Sequence, residues 1–381
     1  MKKLAIALII VVVLSVTVAY LLYPQVQSGL GEKPPAQTEY VSITDFANRT
    51  LTLPRNISRI VAIGPGMLRL IVYLNAVDLV VGVEKAEKTW GVVGRDYAMA
   101  IKEKIEELPE IGPGGPGNPP DPELILSVKP ELVIMHTAYL SFYNPDELQM
   151  RINATVIVLD YTPATSPDLE LFYKAIEILG KALNREERAQ QLIAYTRSLL
   201  ADLSRRVEGL NTTAVKVYVG GVSARGLQPF TATQSPYPPL VWLKTQSISD
   251  AYAKTQGLLS LQFETLLKEQ PDVIFIDENS LKPVILPDFK KEPSKYLSLK
   301  AFREGRVYGL LPYNYYHCNI AVALANSYYI GKVLYPERFA DIDPAEKADE
   351  IFRVFVGKPI YDLFLKGGYE GYRNISDLFS S

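Results

Sequence analysis

Apolar and polar positions follow two rhythms along this chain. Short β-branched runs at 59–63, 79–83, 131–135 and 155–159, and again at 215–219, 272–277 and 306–310, predict buried strands. Between them apolar residues recur every three or four positions. That spacing predicts helices at 121–128, 145–152, 260–269, 293–302, 317–334, 344–356 and 358–366, and another from Met67, directly after Gly64, Pro65 and Gly66. Strand, turn and helix in repetition is the pattern of parallel α/β sheets, whose ligands sit at the C-terminal ends of the strands. Ahead of it, residues 40–54 alternate in two short runs about Ala47, Asn48 and Arg49, which predicts an edge hairpin.

The longest helical pattern lies at 166–208 and reads as two helices end to end. Ser166, Pro167 and Asp168 suit a helix start, Gly180 an end, and Asn184 with Glu187 a second start. Beyond it Ala189, Leu192, Ile193, Thr196, Leu199, Leu200, Leu203 and Val207 form one stripe, on a helix of roughly 36 Å. A long surface helix in one large domain would show the same stripe, but an internal repeat favours two lobes. Residues 121–135 align without a gap on 262–276, pairing Glu123 with Glu264, Leu126 with Leu267, Pro130 with Pro271 and Glu131 with Asp272. The expected fold is therefore α/β: two Rossmann-like lobes, 40–165 and 209–381, bridged by one long interlobe α-helix within 166–208, with a ligand cleft between the lobes.

The first residues break the pattern. Lys2 and Lys3 precede 19 uncharged residues, 4–22, long enough as a helix to span about 28 Å of bilayer. Residues 1–23 are thus expected to anchor the chain with its N-terminus inside, and the Pro/Gly/Gln-rich 24–39 to tether the rest outside. Removal of 1–23 as a signal peptide is the alternative. Asn48, Asn56, Asn153, Asn211 and Asn374 all stand in Asn-x-Ser/Thr, where chance would give roughly two, so an exported and glycosylated surface is expected. A net charge of −2 with scattered Lys and Arg offers nothing to nucleic acid. One cysteine, Cys318, and two histidines exclude a disulfide framework and a Cys/His zinc cluster.

From about residue 40 to 370 the chain resembles the class III substrate-binding proteins of ABC importers, which carry iron-siderophore, haem and corrinoid complexes and in some cases molybdate or tungstate. The resemblance rests on the order and spacing of ITDFANRTLTLPRNISRIVAIGPG, DPELILSVKPELVIM with its second copy, the long interlobe helix, and NIAVALANSYYIGKVLYP. It implies a non-enzymatic, monomeric protein at the outer face of the cytoplasmic membrane. Such a protein needs no cofactor and hands a small anionic metal complex to an ABC permease and its ATPase. Many members dock through a glutamate in the first helix of each lobe. Here the first of those positions is Arg69.

Strand ends and the loops after them supply the expected ligand-binding residues: Gly66, Trp90, Arg95, Tyr97, His136, Tyr139, Tyr161, Ser223, Arg225, Tyr237, Tyr313, Asn314, Tyr315 and His317. Arginines clamp oxyanions and carboxylates, and aromatic faces suit a large planar or catecholate ligand. Residues 64–66 and Ser223 are the candidates for a small oxyanion nest. Few carboxylates lie among these positions, which disfavours a naked cation. The expected cargo is a ferric chelate, with molybdate or tungstate as runner-up. A membrane-anchored extracellular hydrolase is the rival of another class. Its best nucleophile, Ser223, lacks the second glycine of a nucleophile elbow.

Overall fold

The computed structural model describes residues 39–161, 169–224 and 226–380. The expected anchor 1–23, all but the last residue of the tether, the helix start at 166–168 and Arg225 lie outside those residues. Among the described residues no helix is long and apolar enough to cross a membrane.

Two parallel sheets organise the chain. Strands β1 (Tyr40–Thr44) and β2 (Thr50–Pro54) form the edge hairpin, and β3 (Ile60–Ile63), β4 (Val80–Gly82), β5 (Leu132–His136) and β6 (Thr155–Leu159) form a parallel sheet in the order β4-β3-β5-β6. In the second half β7 (Val217–Gly220), β10 (Val273–Asp277) and β11 (Val307–Leu310) make another, in the order β11-β10-β7. Between β7 and β10 in chain order comes an antiparallel pair, β8 (Ala232–Ser235) with β9 (Gly257–Ser260), where the apolar runs predict no strand. Strands β3, β5, β7 and β10 are buried along their whole length, as the continuous apolar runs require.

The internal repeat has a physical cause. Glu131 accepts the amides of Ser58 and Arg59 at the start of β3, at 2.6 and 3.1 Å. Asp272 accepts the amide of Lys216 at the start of β7, at 2.9 Å. Each acid thus clips the inner strand of its sheet to the neighbouring one, and the proline before each, Pro130 and Pro271, is buried.

Helices α1 (Met67–Tyr73), α2 (Lys85–Thr89) and α3 (Asp96–Ala100) belong to the first half, and α4 (Glu170–Ala182) and α5 (Glu186–Arg206) follow it. The last two do not run end to end. A Cβ on Gly180 would lie 2.8 Å from that of Ala189, and the amide of Arg185 returns to the Gly180 carbonyl at 2.7 Å, so the chain folds back on itself. Asn184, expected to cap α5, makes that turn at φ 54° instead. Helix α5 has 21 residues, about 31 Å. At its start Arg188 donates to the carbonyl of Tyr73 on α1. Further along, Asp202 accepts from Tyr328 on α6 (Ile320–Leu334), and Arg206 pairs with Asp341.

Two other boundaries differ from the pattern. The helix expected at 293–302 is two, Pro293–Leu297 and Lys300–Arg303, because the Gln270 side chain takes the Lys300 amide and donates to the Ser298 carbonyl. The one expected from 317 starts at Ile320, since Tyr316 and His317 have φ of 50° and 76°. All five sequon asparagines are exposed.

Candidate functional site

The C-terminal ends of β3, β5 and β6 face the loop 313–319 that follows β11, and two polar clusters join them. In the first, Arg69 on α1 is fully buried. Its Nε donates to Asp96 at 2.9 Å, and its other N–H groups reach the Tyr161 hydroxyl, the Asn319 side chain and the carbonyls of Tyr315 and Tyr316 at 3.1 and 3.2 Å. All five guanidinium donors are thereby used. The Tyr97 ring lies 4.7 Å from the guanidinium carbon. Left-handed backbone at Tyr316 and His317 costs on the order of 1–3 kcal/mol per residue, and the hold on the two carbonyls before His317 helps keep the loop in that shape.

Glu84 works beside it. Its carboxylate accepts from the Gly64 amide and the Tyr139 hydroxyl, each at 2.9 Å, and from the Tyr316 hydroxyl across the interface. Burial pushes its pKa up to about 7 against the pull of these donors.

The second cluster is formed by His136 at the end of β5, Asp160 just beyond β6, and His317. Nε2 of His136 is 3.3 Å and Nε2 of His317 is 3.5 Å from the same oxygen of Asp160. Neither approach matches the usual 2.9 Å bond, and Nε2 of His136 is buried without a hydrogen-bond partner. By contrast both Nδ1 atoms are engaged: Ala138 donates its amide to that of His136 at 2.9 Å, and Cys318 its amide to that of His317 at 2.8 Å. Asp160 is fixed by the Thr137 hydroxyl and the Tyr161 amide, both at 2.7 Å, and its side chain is 31% exposed, so the cluster opens to solvent. Burial alone would raise its pKa, but the histidine N–H groups and Thr137 outweigh that and hold it well below the carboxylate range. Burial lowers the His317 imidazole to about 4, with Asp160 opposing. Its ring packs at a tilt of 38° against Tyr161, centroids 4.3 Å apart. The three side chains have the composition of a divalent-metal site, since one ligand atom from each lies within 4.8 Å of the others.

The other predicted residues divide sharply. Arg95 does not face a cleft: it is wholly buried against Glu87, with further bonds to the Gly91 and Glu87 carbonyls. Tyr97 donates to the same glutamate. Tyr139 is taken by Glu84 and the Gly115 carbonyl, and Tyr161 donates to the Cys318 carbonyl at 3.1 Å. Gly64 and Gly66, at φ 93° and 75°, pack against His136 and Tyr161, and the Gly64 amide is spent on Glu84, so this turn is a packing device more than a nest. On the other side Ser223 gives both amide and hydroxyl to Asp277, while Tyr313 donates to Gln234 and packs edge-on against Tyr237 at 5.5 Å. Buried Asn314 has an unpartnered Oδ1. Trp90, 40% exposed, and half-buried Tyr315 form a rim, the Tyr315 hydroxyl donating to the Trp90 carbonyl. Residues 313–317 precede a helix but do not form its first turn.

Sequence reasoning missed Asp160, Glu84 and the function of Arg69. An acid directly after a β-branched run, one step beyond Leu159, which pairs with His136, is the signal that would have found Asp160.

The periodic pattern and the two sheets agree with known proteins. Residues 60–313 match the family model for periplasmic binding proteins. The chain is 23% identical over 289 residues to an uncharacterized ABC transporter substrate-binding lipoprotein, YvrC, of Bacillus subtilis, covering 76% of this chain and 84% of that one. It is also 23% identical over 337 residues to the molybdate-binding protein MolA of Haemophilus influenzae, covering 82% and 90%. Among solved structures, molybdate-bound MolA superposes with a TM-score of 0.63 at 19% identity, covering 84% of this chain and 98% of that one. The TroA-like protein FepB of Veillonella parvula gives 0.62 at 20%, covering 84% and 97%. The chain belongs to the periplasmic binding protein family.

Proposed function

We propose that this protein is the substrate-binding component of an ABC transporter, taking up an anionic metal complex between its two lobes and presenting it to a permease and ATPase. The observation that carries the reading is the meeting of His136, Asp160 and His317, from both sides of the interface, with bonding capacity unspent. Residues 4–22 would tether it to the outer face of the membrane, and the exposed sequons suit an exported surface. A transport role is favoured over hydrolysis because Ser223 is bonded to Asp277 and not to a histidine. A ferric chelate is the preferred cargo. Molybdate is the second reading, favoured by the likeness to MolA along 82% of this chain.

Calorimetric titration of the full chain with ferric chelates, haem, a corrinoid, molybdate and tungstate tests this. Tight binding of one chelate is the expected result. Saturable binding of tungstate alone would shift the cargo to the second reading, and indifference to all of them would sink the transport reading.

A further inference from the structure

The mouth cluster has the composition of a metal site but the wrong hydrogens. A backbone N–H can only donate, so each Nδ1 that receives one, from Ala138 and from Cys318, must present its lone pair. In a neutral imidazole the proton then sits on Nε2, the atom aimed at Asp160. Metal-ligating histidines show the reverse, with the second nitrogen donating to a carbonyl or carboxylate. The two rings therefore offer donors where a cation needs lone pairs.

Asp160 adds a second condition. Two 2.7 Å bonds fix it in place, and it remains a carboxylate a few ångströms from wherever a ligand oxygen would meet those donors. A compact dianion would bring its whole charge against it. A large complex, with charge spread over many oxygens or with a protonated oxygen to offer, would not.

Building on the transport reading above, we propose that His136, His317 and Asp160 act together as a filter. The paired Nε2–H donors accept oxygen-ligated complexes and refuse bare divalent cations, and Asp160 weakens the hold on compact oxyanions. His136→Gln with His317→Gln keeps an N–H near each Nε2 position, whereas leucine at both removes it.

Titrations of the full chain with a ferric tris-catecholate, molybdate, NiCl2 and ZnCl2 separate the possibilities. The glutamine pair should hold the catecholate within about threefold of the wild type, and the leucine pair should lose about a hundredfold or more. Asp160→Asn should tighten molybdate about tenfold. Nickel and zinc should bind no better to the wild type than to the glutamine pair. Should the leucine pair not fold, nitrogen-15 spectra of labelled histidines in the wild type still decide, since both rings should carry the proton on Nε2. Tight nickel or zinc binding that the glutamine pair abolishes, or protons found on Nδ1, would overturn the filter while leaving the transport reading intact. If no probe binds at all, both fall.

Discussion

The interface holds two polar clusters of similar make-up and opposite state. Every donor of Arg69 is matched at close range and the guanidinium is shut away from solvent. Around Asp160 the two histidine contacts are long, one nitrogen is orphaned and the carboxylate reaches solvent. A buried charge with a full set of partners fastens, because breaking any bond strands the rest in a low dielectric. Unspent capacity at an opening has no such structural return, and a ligand is the natural claimant. Both clusters hold the same loop, 313–319, so the fastener sets the position of His317 for the opening.

Breaking the fastener should have the largest effect. Arg69→Met leaves Asp96 uncompensated in a dry interior and frees the loop from its carbonyl grip. A loss of about 5 kcal/mol is expected, at the upper end for a broken buried pair, read as a drop in the urea midpoint. Cargo affinity should fall too, because His317 is no longer held at φ 76°. Retained affinity in a destabilised protein would show that the two clusters are independent.

Arg95→Met supplies the contrast. It breaks another buried pair, with Glu87, but Arg95 bonds neither the loop backbone nor the histidines and Asp160, and meets the loop at the Tyr315 ring, 5.8 Å from its guanidinium carbon, so about 3 kcal/mol of stability should go with cargo affinity kept within about threefold. A weakened cargo with normal stability would return Arg95 to the binding surface.

Why the sequence misplaced Arg95 but not the lobes is itself physical. The lobes announce themselves through apolar runs and through the proline and acid before β5 and β10, whose task of clipping one strand to the next is the same in both sheets. Arginine beside glycine carries no such mark. Its partner, Glu87, sits eight residues earlier in α2, and whether the two point inward is settled by packing between α2 and α3, not by spacing. Tyrosines are equally mute: Tyr139, Tyr313 and Tyr316 spend their hydroxyls on internal acceptors, while Tyr315 beside them stays partly open. Left-handed turns at non-glycine residues leave no trace in the pattern either.

The opening should also answer to pH. His317 titrates near 4 in the fold against 6.5 in an unfolded chain, so between those values the proton binds only on unfolding. Its contribution is whole above pH 6.5 and is lost as the pH falls towards 4, roughly 3 kcal/mol or a little more in all. Glu84, raised to about 7, works the other way, taking a proton in the fold that the unfolded chain releases above about 4.5. The two slopes oppose each other in the wild type. The informative quantity is the stability of the wild type minus that of His317→Gln, which should grow from pH 4 to 6.5 and then level. A difference flat across that window would place His317 in solvent.

The smallest effect tests the residue that links the Arg69 cluster to the exposed rim. Tyr315 gives its carbonyl to Arg69 and its hydroxyl to the Trp90 carbonyl at the exposed rim. Tyr315→Phe leaves the backbone bond and the ring in place and removes one half-exposed hydrogen bond, worth about 1 kcal/mol. The melting temperature should shift by only a few degrees. If the rim contacts cargo through the aromatic face, the phenylalanine variant should bind within about threefold of the wild type while Tyr315→Ala binds at least tenfold more weakly. Equal affinity in all three proteins would confine recognition to the histidines and Asp160 and leave the rim a lip that merely closes over them.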